Sequence, residues 1–71
     1  MKIDEITSVV MNEKELILTT LNKIVSIEYK KIKRIEQEQN NVIVNNIKIE
    51  FNDFNSATLF FYSLINIKKL Q

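Results

Sequence analysis

The chain has 71 residues, 45% hydrophobic and 27% charged, a formal net charge of +1, and neither cysteine nor histidine. Those proportions are ordinary for a globular protein, and the length holds one core that buries about 60% of the surface its unfolded chain would expose. The missing residue types exclude disulfides, a cysteine–histidine zinc site and a thiol or imidazole nucleophile, and the near-neutral balance gives no global attraction to nucleic acid.

No repeat, linker or low-complexity tract divides the sequence, so residues 1–71 are read as one domain. At the amino terminus, Asp4 and Glu5 fall where a secretory signal needs an apolar run. No later apolar run approaches the ~18 residues of a membrane span, so the expectation is a cytosolic protein. Glycine and proline are absent while isoleucine, lysine and asparagine dominate. Such a bias is expected of AT-rich coding in low-GC bacteria or their phages. It also forces any turn with positive φ onto asparagine or aspartate, the next most tolerant residues.

In chain order, residues 6–11 and 16–21 read as strands around a turn at 12–14, with Leu16 and Leu18 on one face. Residues 24–37 allow two readings. As strands, Val25, Ile27 and Tyr29 alternate, and Ile32 and Ile35 follow a bend at Lys30 and Lys31. As one helix, Val25, Tyr29, Ile32 and Ile35 form a stripe, and periodicity does not decide. Residues 42–51 place β-branched runs on either side of Asn45 and Asn46, a two-residue hairpin signal. Closing the turn there sets Val44 opposite Ile47 and Val42 opposite Ile49, so turn chemistry and hydrophobic pattern agree on one register.

Asp53 or Asn55 then caps a helix running to about residue 70. At 100° per residue, Phe54, Ala57, Phe60, Phe61, Leu64, Ile65 and Ile67 share a broad core arc. Asn55, Thr58, Ser63, Asn66 and Lys69 occupy the rest, with Leu59, Tyr62 and Leu70 among them. Lys68 and Lys69 suit the negative end of the helix dipole.

The order Leu16-Ile17-Leu18-Thr19, then 23–36 with its Ile27-x-Tyr29-x-x-Ile32-x-x-Ile35 spacing, then a hairpin ending in Phe51, then Ala57 and Phe60-Phe61, resembles bacterial PH-like and GRAM-type domains. The resemblance covers roughly residues 15–67 and favours strands over helix for 24–37. It implies an α+β fold, a small antiparallel β-barrel or strongly curved sheet closed by one C-terminal helix. With fewer residues than typical members and none of their turn glycines, the chain is expected to build five or six strands. The helical reading of 24–37 gives instead a ββαββα arrangement.

Chemistry offers little to an enzyme. Glu36 and Glu38 share one strand face, Asp4 and Glu5 sit at a terminus, and paired-carboxylate catalysis needs two acids across a cleft. Ser8, Ser26, Ser56 and Ser63 have no histidine to activate them, and no glycine loop exists to cradle phosphate. A non-catalytic protein without metal or cofactor is expected.

Two surfaces remain as candidates. The first is the cluster Lys30, Lys31, Lys33 and Arg34 beside Tyr29, which suits phosphates of nucleic acid or of an anionic membrane. Its field is opposed by Glu28, Glu36 and Glu38. Lipid-binding members of the PH-like families place basic residues around the first hairpin, where this chain has Asn12-Glu13-Lys14-Glu15. The second is the set Leu59, Tyr62 and Leu70 on the polar arc of the helix, where tyrosine is a favoured interface residue. The favoured expectation is a protein-interaction module, a small bacterial or phage accessory protein that binds or inhibits a protein partner, with homo-oligomerisation a route to added stability. The rival class is a phosphate binder.

Overall fold

A computed structural model describes residues 6–70. Its elements are β1 (Ile6–Met11), β2 (Glu15–Thr20), β3 (Ile24–Glu28), a 3-10 turn (Tyr29–Lys31), β4 (Ile35–Glu38), β5 (Asn41–Val44), β6 (Ile47–Glu50) and α1 (Phe54–Lys69). β1, β2 and β3 form one antiparallel meander and β4, β5 and β6 a second. The class is α+β with six strands, and residues 24–38 are strands about a bend. The ββαββα alternative is therefore overturned, because only one α-helix follows the sheets among the described residues.

The second sheet obeys the register demanded by its turn. Val44 faces Ile47 and Val42 faces Ile49, which puts Val42, Val44 and Ile49 in the core while Lys48 and Glu50 face outward. Asn45 takes φ 54°, a conformation that asparagine tolerates better than a β-branched residue. Its side chain does more than permit the turn. The Oδ1 atom accepts from the backbone amides of Lys33 at 2.8 Å and Arg34 at 3.2 Å. Gln39, at φ 58°, turns the chain between β4 and β5.

The first sheet is turned by side-chain acceptors instead. Asn12 Oδ1 accepts from the amides of Lys14 and Glu15 at 3.0 and 2.8 Å. Thr20 Oγ1 accepts from those of Asn22 and Lys23 at 3.3 and 3.1 Å. Leu16 and Leu18 point inward from the central strand, flanked across the ladders by Met11 and Ile27, and by Val9 and Val25.

Both sheets and the helix share one core containing Leu16, Leu18, Tyr29, Ile32, Val42, Val44, Ile49, Ala57, Phe60 and Leu64. Tyr29 is fully buried. Its hydroxyl donates to the Asn12 carbonyl at 2.6 Å, so the bend after β3 is tied to the first hairpin. Burial raises the Tyr29 pKa above its ordinary value of 10.0, and the negative charge of Glu15 adds to the effect.

Two expectations fail. The sheets do not close into a barrel. Between β3 and β4 the chain spends its ladder groups elsewhere, since the amides of Lys33 and Arg34 are taken by the Asn45 side chain. The Arg34 carbonyl accepts from the Asn45 amide at 2.8 Å, so the end of the connection joins the second sheet, and among the described residues no strand of one sheet pairs with a strand of the other. Phe54, placed in the core arc, is 58% exposed. It is the first helical residue, and Phe51 occupies the packing position at that end, its ring 5.2 Å from Phe60. A smaller difference is that β2 stops at Thr20, leaving Leu21 in the following turn.

Candidate interaction surface

The helix begins where the sequence signals it. Asp53 lies in extended backbone at φ −148° and accepts from the Ser56 amide at 2.7 Å, a side-chain N-cap. From there α1 packs on β4, β5 and the 3-10 turn. Ala57, Phe60 and Leu64 are buried, with Phe61 and Ile67 packed beside them. Thr58, expected on the polar arc, is instead half-buried and accepts from Gln37 Nε2 at 2.8 Å, a polar tie between β4 and the helix that the apolar pattern does not reveal.

Leu59, Tyr62 and Leu70 face away from this packing, at 71%, 59% and 84% exposure. They are not one patch. Leu59 and Tyr62 stand three residues apart and adjoin on the helix surface. Leu70 caps the C-terminus, and at 1.5 Å per residue it lies about 16 Å along the axis from Leu59. Tyr62 is braced by Phe61, the rings meeting edge-on at 5.4 Å. That contact restricts the Tyr62 side chain before any partner arrives.

The basic cluster is brought together at the bend but is largely self-neutralised. Lys30 and Lys31 lie 3.7 and 3.2 Å from the two oxygens of Glu28, and Arg34 pairs with Glu36. The Glu28 carboxyl is accordingly held below its usual pKa, first by the hydrogen bond from Lys31 and then by the charges of Lys30 and Lys31. Among the described residues Lys33 has no ion pair. One cation of four is thus unopposed.

The remaining polar candidates do not converge. Glu36 and Glu38 project from the outer face of β4, where Glu36 is engaged by Arg34. Asp4 and Glu5 lie outside the described residues. An open depression of about 430 Å³ is lined by Asn12, Glu13, Lys14, Glu15 and Glu28, yet among the described residues no group of acidic side chains is placed to hold a metal ion. No described helix is long and apolar enough to cross a membrane.

Fold and surface together define an α+β domain of two meander sheets with a helix that is buried on one side and apolar in part on the other. Compared with known proteins, no family model, curated protein or solved structure matches this chain.

Sequence reasoning assigned no role to Val10, Leu21 and Ile24, all exposed on the first sheet or its turn. A signal for the outer face was present: once Leu16 and Leu18 point inward, Ile17 and its ladder neighbour Val10 must point out.

Proposed function

We propose that this chain is a non-catalytic interaction module of the PH-like kind, a bacterial or phage accessory protein that binds a protein partner through the outer face of α1. The observation carrying the proposal is the asymmetry of that helix, with Ala57, Phe60 and Leu64 sealed in the core while Leu59 and Tyr62 stand side by side in water. Covering apolar surface is worth about 25 cal/mol per Å² before association costs. Exposed ion-paired lysines contribute little by comparison. Six antiparallel strands followed by a single C-terminal helix support the PH-like part of the proposal.

The test is capture of a host protein by the immobilised chain, compared across variants. Leu59→Asp combined with Tyr62→Ser is expected to abolish capture while circular dichroism stays unchanged, because neither side chain enters the core. Charge reversal at Lys30, Lys31, Lys33 and Arg34 is expected to leave capture nearly intact. Binding that survives the helix changes, is lost on charge reversal and falls steeply with salt would sink the proposal in favour of phosphate recognition.

A further inference from the structure

Each strand pairs only with its sequence neighbours, so among the described residues β1, β3, β4 and β6 are sheet edges. An edge presents a row of free backbone amides and carbonyls, and charged side chains are the common guard against a second strand adding there. β4 carries Glu36 and Glu38, β6 carries Lys48 and Glu50, and β3 is bounded by Lys23 and Glu28. Residues 6–12 carry no charge.

The hydrogen-bonding phase of β1 follows from its turn. The Asn12 amide donates to the Glu15 carbonyl at 3.1 Å, and antiparallel pairs alternate between bonded and non-bonded. With Met11 opposite Leu16, Val10 opposite Ile17 and Val9 opposite Leu18, Val10 turns its backbone groups toward β2. Val9 and Met11 turn theirs outward. The register shift of this ladder falls between Ile6 and Ser8, so residues 8–11 present an unbroken edge. On the outer face Val10 is 49% exposed, beside half-buried Ile17.

We propose that β1 pairs antiparallel with β1 of a second copy, about a two-fold axis at Val10, joining two three-stranded sheets into one. The axis sets Val9 opposite Met11 of the partner subunit in bonded pairs that use the outward amides and carbonyls. It sets Val10 against Val10 of the partner subunit in a close non-bonded pair, so the apolar row begun by Ile17 continues across the interface. No charge is opposed. Two rivals remain: a two-fold at Ser26 of β3 would place exposed Ile24 opposite the charged Glu28 of the partner subunit, and a two-fold at Ile49 of β6 would place Lys48 opposite Glu50. Exposed ion pairs add little, and the β6 arrangement covers no exposed large apolar side chain. This inference is independent of the helix surface and adds a self-association site to it.

The chain has no cysteine, so V10C is a single-thiol probe at an exposed position. Non-bonded antiparallel neighbours sit about 4.5 Å apart at Cα, within disulfide reach. Under mild oxidation V10C is expected to form a linked dimer about tenfold faster than L21C, because pairing raises the effective thiol concentration. In sedimentation velocity the unmodified chain should shift toward dimer mass with concentration, while V10K stays monomeric with an unchanged circular dichroism spectrum. The proposal is overturned if the unmodified chain remains monomeric and V10C links no faster than L21C. A dimer that survives V10K, whether lost in K48E, in I24K or in the Leu59 and Tyr62 double variant, also overturns it.

Discussion

The two sheets share a topology and differ in how they are held. In the second, turns at Gln39 and Asn45 use positive φ, the inner face is covered by α1, and the outer face carries Glu36, Glu38, Lys48 and Glu50. In the first, turns are closed by the side chains of Asn12 and Thr20, and Val10 and Ile24 stay exposed on the outer face. A charged outer face finishes a sheet as a free-standing surface. The first sheet gathers its outer-face charges, Glu15 opposite Glu28, at one end, and the apolar remainder around Val10, Ile17 and Ile24 is surface that folding alone has not covered.

The sharpest way to break this comparison is to ask whether the sheets unfold separately. A domain of this length has about 4–11 kcal/mol of stability, and truncating a buried leucine costs ~2–5 kcal/mol. Because Leu18 of the first sheet and Leu64 of the helix belong to one core, Leu18→Ala and Leu64→Ala should each remove a large share. Urea melts followed by circular dichroism and tyrosine fluorescence should stay coincident. Separate transitions would show two cores.

The turns come next. Asn45→Ala loses both the tolerated φ and the acceptor for two amides, and is expected to cost about 2 kcal/mol. Asn45→Gly keeps the backbone conformation and should fall between that and the unmodified chain. Asn12→Ala, at an exposed turn with ordinary φ, should cost about 1 kcal/mol or less. Equal losses for Asn45→Ala and Asn12→Ala in the same urea series would erase the distinction between the two kinds of turn.

The smallest effect joins the bend to the first hairpin. Tyr29→Phe removes the hydrogen bond to the Asn12 carbonyl and is expected to cost about 1 kcal/mol. With its folded pKa raised above 10.0, Tyr29 holds its proton more tightly folded than unfolded. Its contribution is fully present below pH 10 and is lost as pH rises from there through the folded value. Stability of the unmodified chain should therefore fall more steeply than that of Tyr29→Phe in alkaline denaturation, and parallel curves would count against a buried hydroxyl.

Elements were legible where two local signals coincided. At Asn45 and Asn46 the turn residues and the β-branched alternation fix the same register, and at Asp53 a capping residue precedes an amphipathic run. Residues 24–37 were ambiguous because β-branched and helix-favouring residues are mixed there, and what settles them is tertiary: Tyr29 and Ile32 are drawn into the core and Asn45 binds the segment from across the chain. The Gln39 turn was hidden because glutamine carries no turn preference of its own. Of the helix surface, the exposed positions followed from 100° periodicity, but the distance separating Leu70 from Leu59 and the bracing of Tyr62 by Phe61 depend on the helix end and on side-chain packing. The neutralisation of the basic cluster was partly readable from the nearby glutamates. Which glutamate meets which cation depends on the bend.

The meander order of both sheets also bears on how fast the chain finds its structure. Every ladder closes across a turn of a few residues, while α1 packs further back, on β4, β5 and the 3-10 turn. Contacts with short sequence separation require little loop closure before they begin to stabilise one another, and domains built from them fold at the rapid end of their size class. Either hairpin pair can form without waiting for the other. Joining the two sheets in one core brings together residues further apart in sequence, whereas the Asn45 side chain, reaching back to Lys33 and Arg34, prolongs the β4–β5 hairpin by one more pair.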